Sequence, residues 1–224
     1  MTIDRSKLKT ALAAERKLYL QRNPKSLELF NSATNLFGQV PMTWMNKWSG
    51  GFPIYLDRAK GNRITSVDGH TYIDFALGDT AAMAGHSPDE VSEAINNRYT
   101  KLGGATTMLP TADGQWVAQE LAQRFKVPLW SFCLSATDAN RWALRLARMV
   151  TGKSKVLAFS YGYHGTVDET FVVTGENGET KLRPGNVGAP GNISDTTRVA
   201  EFNDLASVEK ALTNGDVAVI ITEP

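Results

Sequence analysis

Cysteine, long apolar runs and a charge of one sign are all scarce in this sequence. The 224 residues include a single cysteine, Cys133, which excludes an internal disulfide framework and a zinc cluster built from cysteines. The apolar stretches, such as Val217 to Ile221, are far too short to cross a bilayer, and the first residues lack the apolar core of a signal peptide. Because 24 basic and 23 acidic residues nearly cancel, nothing favours nucleic acid or a membrane as a partner. We therefore expect a cytoplasmic globular protein.

Helix and strand patterns alternate after Ser87. The strongest helix pattern runs from Asp138 to Val150, where apolar residues share one face. Further helices are predicted at Gly114 to Phe125 and Leu205 to Leu212, and strands at Ser131 to Leu134, Lys155 to Phe159 and Val217 to Thr222. Such alternation predicts a mostly parallel sheet covered by helices on both faces, an α/β fold. Because only Glu223 and Pro224 follow the last strand, we expect the sequence to be the front portion of a longer protein.

The first part of the chain carries weaker signals. The predicted elements are helices from Asp4 to Leu20 and from Leu27 to Ser32, and short strands at Ile54 to Asp57, Arg63 to Val67 and Thr71 to Phe75. Asp68 and Gly69, between the last two strands, are typical of a hairpin turn because both tolerate positive φ. Ser87 with Glu90 predicts a capping box, and Pro88 fits the first position of the helix that follows.

Three small residues, Ser135, Ala136 and Thr137, stand between a predicted strand and the strongest helix. The free N–H groups of a helix N-terminus, its dipole and two hydroxyl groups can hold a phosphate. The same residue types are favoured helix caps, and position alone favours simple capping. A nucleotide-binding module of another α/β family could use the same residues, but the sequence contains no nucleotide-binding fingerprint.

Two further motifs follow predicted strands. Tyr163 and His164 lie between two glycines, which suits a flat ring that must be covered and hydrogen-bonded; the alternative is an ordinary loop. Glu223 supplies a carboxylate after the last strand. His164 with Asp168 resembles part of a metal site, but no third ligand stands nearby, so we expect no metal.

Taken in order and with compatible gaps, these motifs resemble the front half of a class-III aminotransferase, in the branch that includes glutamate-1-semialdehyde aminomutase. The likeness extends from about Phe52 to Pro224. It rests on SVDGHTYIDF followed by Gly85-His86-Ser87-Pro88, on SATDANRWALRLAR, on YHG, and on the closing strand with Glu-Pro.

The resemblance implies pyridoxal 5′-phosphate (PLP) as the cofactor and fold type I, a three-layer α/β/α large domain with a mostly parallel sheet, normally in a homodimer. Residues 1–86 would belong to the small domain, and residues 87–224 would be the first portion of the PLP-binding large domain. The matching residues are Ser135, Ala136 and Thr137 in the phosphate cup, Tyr163 on the pyridine ring with His164 beside it, and Glu223 near the cofactor.

The implied activity is PLP-dependent transamination, the transfer of an amino group between an amino compound and a keto acid or aldehyde. The alternatives are an aminomutase of the glutamate-1-semialdehyde type and a non-catalytic chain of the same fold that binds PLP or a partner subunit. The family's Schiff-base lysine and its pyridine-nitrogen aspartate are expected beyond residue 224. We therefore assign no catalytic residue within this chain and expect it to be inactive alone.

Three positions depart from the family pattern. Ala136 stands where the family has glycine, and its methyl group is tolerated if φ stays negative. Trp44 falls near the position where relatives that act on amino acids place a carboxylate-binding arginine, so it could line the substrate pocket or pack against the adjoining domain. Asp79 falls where relatives commonly carry an aromatic residue. Its carboxylate could favour a substrate with a second amine, and the alternative is a turn cap.

Overall fold

The computed structural model describes residues 4–104, 108–188 and 191–223. They form two compact units, Met1–Met108 and Leu109–Pro224. The predicted domain boundary between residues 86 and 87 concerns a complete fold-type-I protein and stays a prediction. No helix within the described ranges is long and apolar enough to span a membrane.

The first unit combines helices with a small antiparallel sheet. Its helices are α1 (Arg5–Arg22), α2 (Pro24–Ser32) and α3 (Asp89–Thr100), and its strands are β1 (Leu56–Lys60), β2 (Arg63–Ser66) and β3 (Thr71–Ile73). The strands pair in the order β1-β2-β3. Short 3-10 turns at Phe37–Gln39 and Thr43–Asn46 lie in the segment between α2 and β1.

The predicted hairpin turn between β2 and β3 is confirmed. The N–H of Gly69 donates to the carbonyl of Ser66 at 2.8 Å, and Gly69 has a φ of 84°, which a residue with a Cβ rarely adopts. Asp68 has a second task, because its carboxylate accepts the N–H groups of Lys25 and Ser26. The turn therefore caps the N-terminus of α2 as well as joining two strands.

The predicted capping box at the start of α3 is wrong. The N-cap residue is Pro88, which makes no side-chain cap, and the helix begins at Asp89, so the prediction that Pro88 takes the first helical position is wrong as well. Ser87 has a φ of 49°, and its hydroxyl donates to the carbonyl of Ala59 at 3.0 Å. The Ser87 side chain thus bonds to β1 and not to the helix N-terminus that the local pattern predicted.

The second unit is built on a parallel sheet. Its helices are α4 (Ala112–Phe125), α5 (Ala136–Thr151) and α6 (Leu205–Leu212), and its strands are β4 (Lys155–Phe159), β5 (Val172–Thr174), β6 (Thr180–Leu182), β7 (Thr197–Ala200) and β8 (Val217–Ile221). Strand β4 lies between β7 and β8 and is parallel to both. Strands β5 and β6 form a separate antiparallel hairpin.

Helices cover both faces of the parallel sheet, as predicted for an α/β fold. Val156 of β4 packs against Leu144 of α5, whereas Leu157, which points to the opposite face, packs against Val208 and Ala211 of α6. Both β4 side chains are fully buried. The core therefore runs through β4, and the three layers are helix, sheet and helix.

The predicted strand from Ser131 to Leu134 is wrong: this segment is irregular. Phe132 is 56% exposed and Leu134 is fully exposed. A strand forms only where a neighbouring strand satisfies its backbone groups, and none of the described strands pairs with this segment. The apolar pattern indicates that a segment could form a strand, but it does not indicate whether a neighbouring strand is there to pair with it.

Candidate cofactor site

The N-terminus of α5 has the geometry that the phosphate-cup prediction needs. Ser135 caps the helix, and its hydroxyl oxygen accepts the N–H of Asp138 at 3.2 Å. Ala136 begins the helix and is not among the described residues with positive φ, so its methyl group is accommodated as expected. The first N–H groups of any helix have no acceptor within it and carry the positive end of the dipole. Capping is thus observed, and the amides that could hold a phosphate stay available.

The loop that carries Tyr163 and His164 is fastened to this helix start. The N–H of Thr166 donates to Thr137 Oγ1 at 3.0 Å, and Asn140 Nδ2 donates to the carbonyl of His164 at 3.0 Å. Gly165 has a φ of 78°, and a Cβ there would lie only 3.0 Å from the Cα of Thr137 and would overlap its hydroxyl. Only glycine permits this close approach, which explains why a glycine follows the histidine.

His164 is buried with part of its hydrogen-bonding capacity unused. His164 is 7% exposed, and its Nε2 atom is enclosed without a hydrogen-bond partner among the described residues. Burial lowers the pKa of the imidazole, and the nearby Glu223 carboxylate opposes that shift in part. Burial therefore favours the neutral form of the ring, and a buried nitrogen without a partner is costly.

His164 and Glu223 line one cleft at the carboxyl ends of β4 and β8. The cleft measures about 200 Å³ and is also lined by Phe159, Ser160, Tyr161, Gly162, Phe202 and Thr222. Tyr163 is not part of the lining, although it lies on the same loop and is 59% exposed. The carboxyl ends of parallel strands are where ligands bind in α/β sheets. Pro224, the last residue of the Glu-Pro motif, lies outside the described residues.

Several cleft and support residues were not predicted from the sequence. Asn140 and Thr166 join α5 to the histidine loop, and Tyr161 and Phe202 add aromatic walls to the cleft. Tyr161 had a signal, because it stands in the same run after β4 as Tyr163. Asn140 had none, since one asparagine on a helix has no characteristic pattern before its partner is known.

The two predicted substrate residues lie in the first unit. Trp44 is in the 3-10 turn at Thr43–Asn46 and is 58% exposed. Asp79 lies in a run of four residues with positive φ, residues 77–80. A few residues before this run, the carboxylate of Asp74 contacts His86 Nε2 at 2.6 Å. The Asp79 carboxylate has no hydrogen bond to any described residue, so nothing observed supports its interpretation as a turn cap. The substrate roles of both residues stay predictions.

The first unit also contains a larger groove, which holds none of the predicted site residues. It measures about 560 Å³ and is lined mainly by apolar side chains of α1, β2 and β3, among them Leu12, Ile64 and Ile73. A metal site offers no better alternative: across residues 4–104, 108–188 and 191–223, no group of three histidine, cysteine or acidic side chains could hold an ion. The cleft at the sheet ends is therefore the candidate site.

Comparison with known proteins gives the family. The family model described as Aminotransferase class-III matches residues 44–224. A glutamate-1-semialdehyde 2,1-aminomutase from Saccharolobus islandicus (strain L.S.2.15 / Lassen #1) is 34% identical over 201 residues, which cover 89% of this chain and 46% of the relative.

Comparison with solved structures gives the same family. A variant of a glutamate-1-semialdehyde-aminomutase from Pseudomonas aeruginosa PAO1, in complex with PMP, matches with a TM-score of 0.93 and 40% identity over 100% of this chain and 49% of that one. An omega-transaminase from Sphaerobacter thermophilus matches with a TM-score of 0.78 and 28% identity over 89% of this chain and 47% of the other. The chain thus spans about half the length of the relatives it matches.

The chain belongs to the class-III aminotransferase family, and its fold is the fold type I of PLP-dependent enzymes. The resemblance inferred from the four sequence motifs is confirmed.

Proposed function

We propose that this chain functions in a PLP-dependent transaminase, which transfers an amino group between an amino compound and a keto acid or aldehyde. PLP is the cofactor that goes with the class-III family. One observation carries the proposal: the N-terminus of α5 is hydrogen-bonded to the loop whose His164 shares a cleft with Glu223. A phosphate-binding helix start and polar groups for a ring are thereby fastened to one another.

The residues at the helix start fit a phosphate group. The exposed Ala136 and the half-buried Thr137 offer first-turn N–H groups. The Ser135 hydroxyl donates to Asp138 Oδ2 at 3.2 Å, so it would bind a phosphate by exchanging that contact. Thr137 Oγ1 is already used as an acceptor by Thr166, so its hydroxyl hydrogen is still free to donate. These groups would bind and orient the cofactor through its phosphate.

The cleft residues fit the cofactor's ring. The enclosed Nε2 of His164 needs a hydrogen-bond partner, and a ring substituent or bound water would supply one. Tyr163 is exposed enough to cover a flat ring. When bound, PLP supplies a sink for the electron pair left on the amine-bearing carbon. The work of this chain is to hold the ring, to exclude water from one face, and to place the Glu223 carboxylate near it.

An aminomutase of the glutamate-1-semialdehyde type is the second candidate, because relatives 34% and 40% identical carry that name. The residue at position 44 favours the transaminase over the aminomutase. An exposed tryptophan stands there, where the family resemblance implies an arginine in relatives that grip a carboxylate. Trp44 would favour an apolar amine, and Asp79 a substrate with a second amine. A non-catalytic chain of the same fold is the remaining alternative.

Assays of the purified full-length protein distinguish these three functions. We expect the purified protein to show a PLP absorption band, to retain PLP covalently after borohydride reduction, and to convert an amine and a keto acid into the exchanged pair. Isomerisation of glutamate-1-semialdehyde without net amino transfer would instead establish the aminomutase. A protein that binds PLP but gives neither a reduced adduct nor turnover would establish the non-catalytic chain.

We also propose that the enzyme is a cytoplasmic homodimer, as the family resemblance implies. Sedimentation equilibrium of the full-length protein measures the assembly directly. A monomer that retains PLP and activity would contradict the dimer.

A further inference from the structure

A bulky residue occupies a left-handed backbone conformation at the edge of the cofactor cleft. Tyr161 has a φ of 63°, in the region where a residue with a Cβ is strained and glycine is not. The adjacent Gly162 is not among the described residues with positive φ. The strained position therefore carries the tyrosine although a glycine stands beside it. Strain of this kind persists only where surrounding contacts impose it, and it is concentrated at ligand-binding sites.

Contacts from the β5–β6 hairpin hold Tyr161 in place. Its N–H donates to the carbonyl of Val172 in β5 at 3.3 Å. The guanidinium group of Arg183, just after β6, lies over the Tyr161 ring at 5.4 Å and donates to the Tyr161 carbonyl at 3.5 Å. Arg183 is itself anchored, because its N–H donates to the carbonyl of Phe171 at 2.9 Å. Both the backbone and the ring of the tyrosine are thus fixed from one side.

Tyr161 borders the same cleft as the predicted cofactor groups. Tyr161 lines the cleft together with His164 and Glu223, and the residue is 62% exposed. A cation on one face of an aromatic ring orients that ring and leaves its other face and its edge for another contact. Flat rings pair favourably with such a surface in offset or edge-on geometry.

We propose that Tyr161 is a cofactor-contacting residue that forms an aromatic wall of the cleft, and that Arg183 is a positioning residue that acts through it. This inference rests on the proposed function, because it takes the cofactor as the flat ligand of the cleft. The strain at Tyr161 is then the cost of placing an aromatic ring where the backbone favours glycine.

The test uses the full-length protein without cofactor and pyridoxamine phosphate as the probe, because its amine cannot couple to a lysine. The dissociation constant and the thermal midpoint of the apo form are measured for Tyr161→Gly and Tyr161→Phe. We expect Tyr161→Gly to weaken binding by about 3- to 10-fold, the range of one aromatic contact. Its thermal midpoint should stay level or rise, because glycine relieves the strain. Tyr161→Phe should bind as the wild type does.

A second pair of variants tests the role of Arg183. Arg183→Met removes the charge and keeps most of the length, and we expect it to weaken binding of the probe by about 2- to 5-fold, less than Tyr161→Gly does. The matched control is Arg145→Met, because the guanidinium of Arg145 lies over Trp142 at 5.6 Å on α5, outside the lining of the cleft. It should leave the dissociation constant unchanged.

An unchanged dissociation constant in Tyr161→Gly overturns the inference, and a lowered thermal midpoint would then assign Tyr161 to anchoring the hairpin. If Tyr161→Gly does not fold, Arg183→Met decides, with unchanged binding overturning the inference. Tyr163→Ala separates this result from failure of the proposed function. If Tyr163→Ala weakens binding of the probe and Tyr161→Gly leaves it unchanged, this inference alone is refuted. A wild-type protein that does not bind the probe refutes the proposed function.

Discussion

Burial and hydrogen-bonding capacity are in conflict at His164. The Nε2 atom of this ring has no hydrogen-bond partner among the residues that the structure describes, which costs stability in a folded chain. Burial also lowers the pKa of the ring and so favours its neutral form. Asn140 holds the backbone of the same residue by donating to its carbonyl, which fixes where the histidine enters the cleft. A ligand that bonds Nε2 would recover the lost interaction, which is why the residue supports a binding site.

Ala136 allows a direct test at the residue scale. Its φ is not positive, so the methyl group that departs from the family pattern is not strained. We expect Ala136→Gly to leave the dissociation constant of PLP equal or lower, because glycine permits closer approach of the phosphate. The variant should lose up to about 1 kcal/mol of stability from reduced helix propensity.

Titration of the apo full-length protein with PLP and a urea unfolding curve measure both effects of Ala136→Gly. A loss of affinity of 10-fold or more would show that the cup is built differently from the family's.

At the scale of elements, one charge cluster joins the amino ends of the three parallel strands. Asp216, just before β8, contacts Arg198 of β7 at 2.7 Å and Lys155 of β4 at 3.6 Å. The hydrogen bonds from Arg198 are the main reason that the pKa of Asp216 lies below its ordinary value. A lowered pKa means that the folded state favours the ionised form.

We therefore expect Asp216→Asn to lower the thermal midpoint at neutral pH. The difference from wild type should persist above pH 4, the unfolded-state pKa of an aspartate being about 3.9. It should shrink as the pH falls through the lower folded pKa, where the wild-type carboxylate also becomes protonated. Thermal unfolding from pH 3 to pH 7 measures this profile.

Asp57→Asn is the matched control, since the one ion pair of Asp57 within the described residues is with its exposed neighbour Arg58, and its loss should change little. A difference between Asp216→Asn and wild type that grows as the pH falls would contradict the assignment.

At the scale of the whole molecule, large apolar side chains are exposed on both units. Phe75 is 88% exposed, Leu129 85% and Leu205 79%, and the chain spans about half the length of its relatives. Exposed apolar surface of this extent promotes association. We expect the 224-residue polypeptide, expressed alone, to bind a hydrophobic dye and to self-associate. Dye fluorescence and sedimentation velocity measure this, and a monodisperse monomer that binds no dye would contradict it.

How much of this was predictable depends on the range of the interactions. Strand β4 and helix α6 were predicted with their observed bounds, because their apolar patterns reflect burial along one element. Strands β5, β6 and β7 were missed. Two of them have only three residues, too few for a period, and such strands are recognised only by their pairing partners. The segment at Ser131 to Leu134 failed in the opposite way, with a strand pattern and no described partner.

By itself the sequence determined the family, the α/β class and the cofactor, because these depend on motif order and on the alternation of elements along the chain. Tertiary structure alone decided which groups meet. It brought His164 and Glu223 to one cleft, fastened Thr137 to Thr166, and took Ser87 from its predicted cap. It also placed Tyr161 under Arg183 in a backbone conformation that no local pattern indicates. The physical reason is that these contacts join residues distant in the sequence, and their geometry exists only once the sheet has formed.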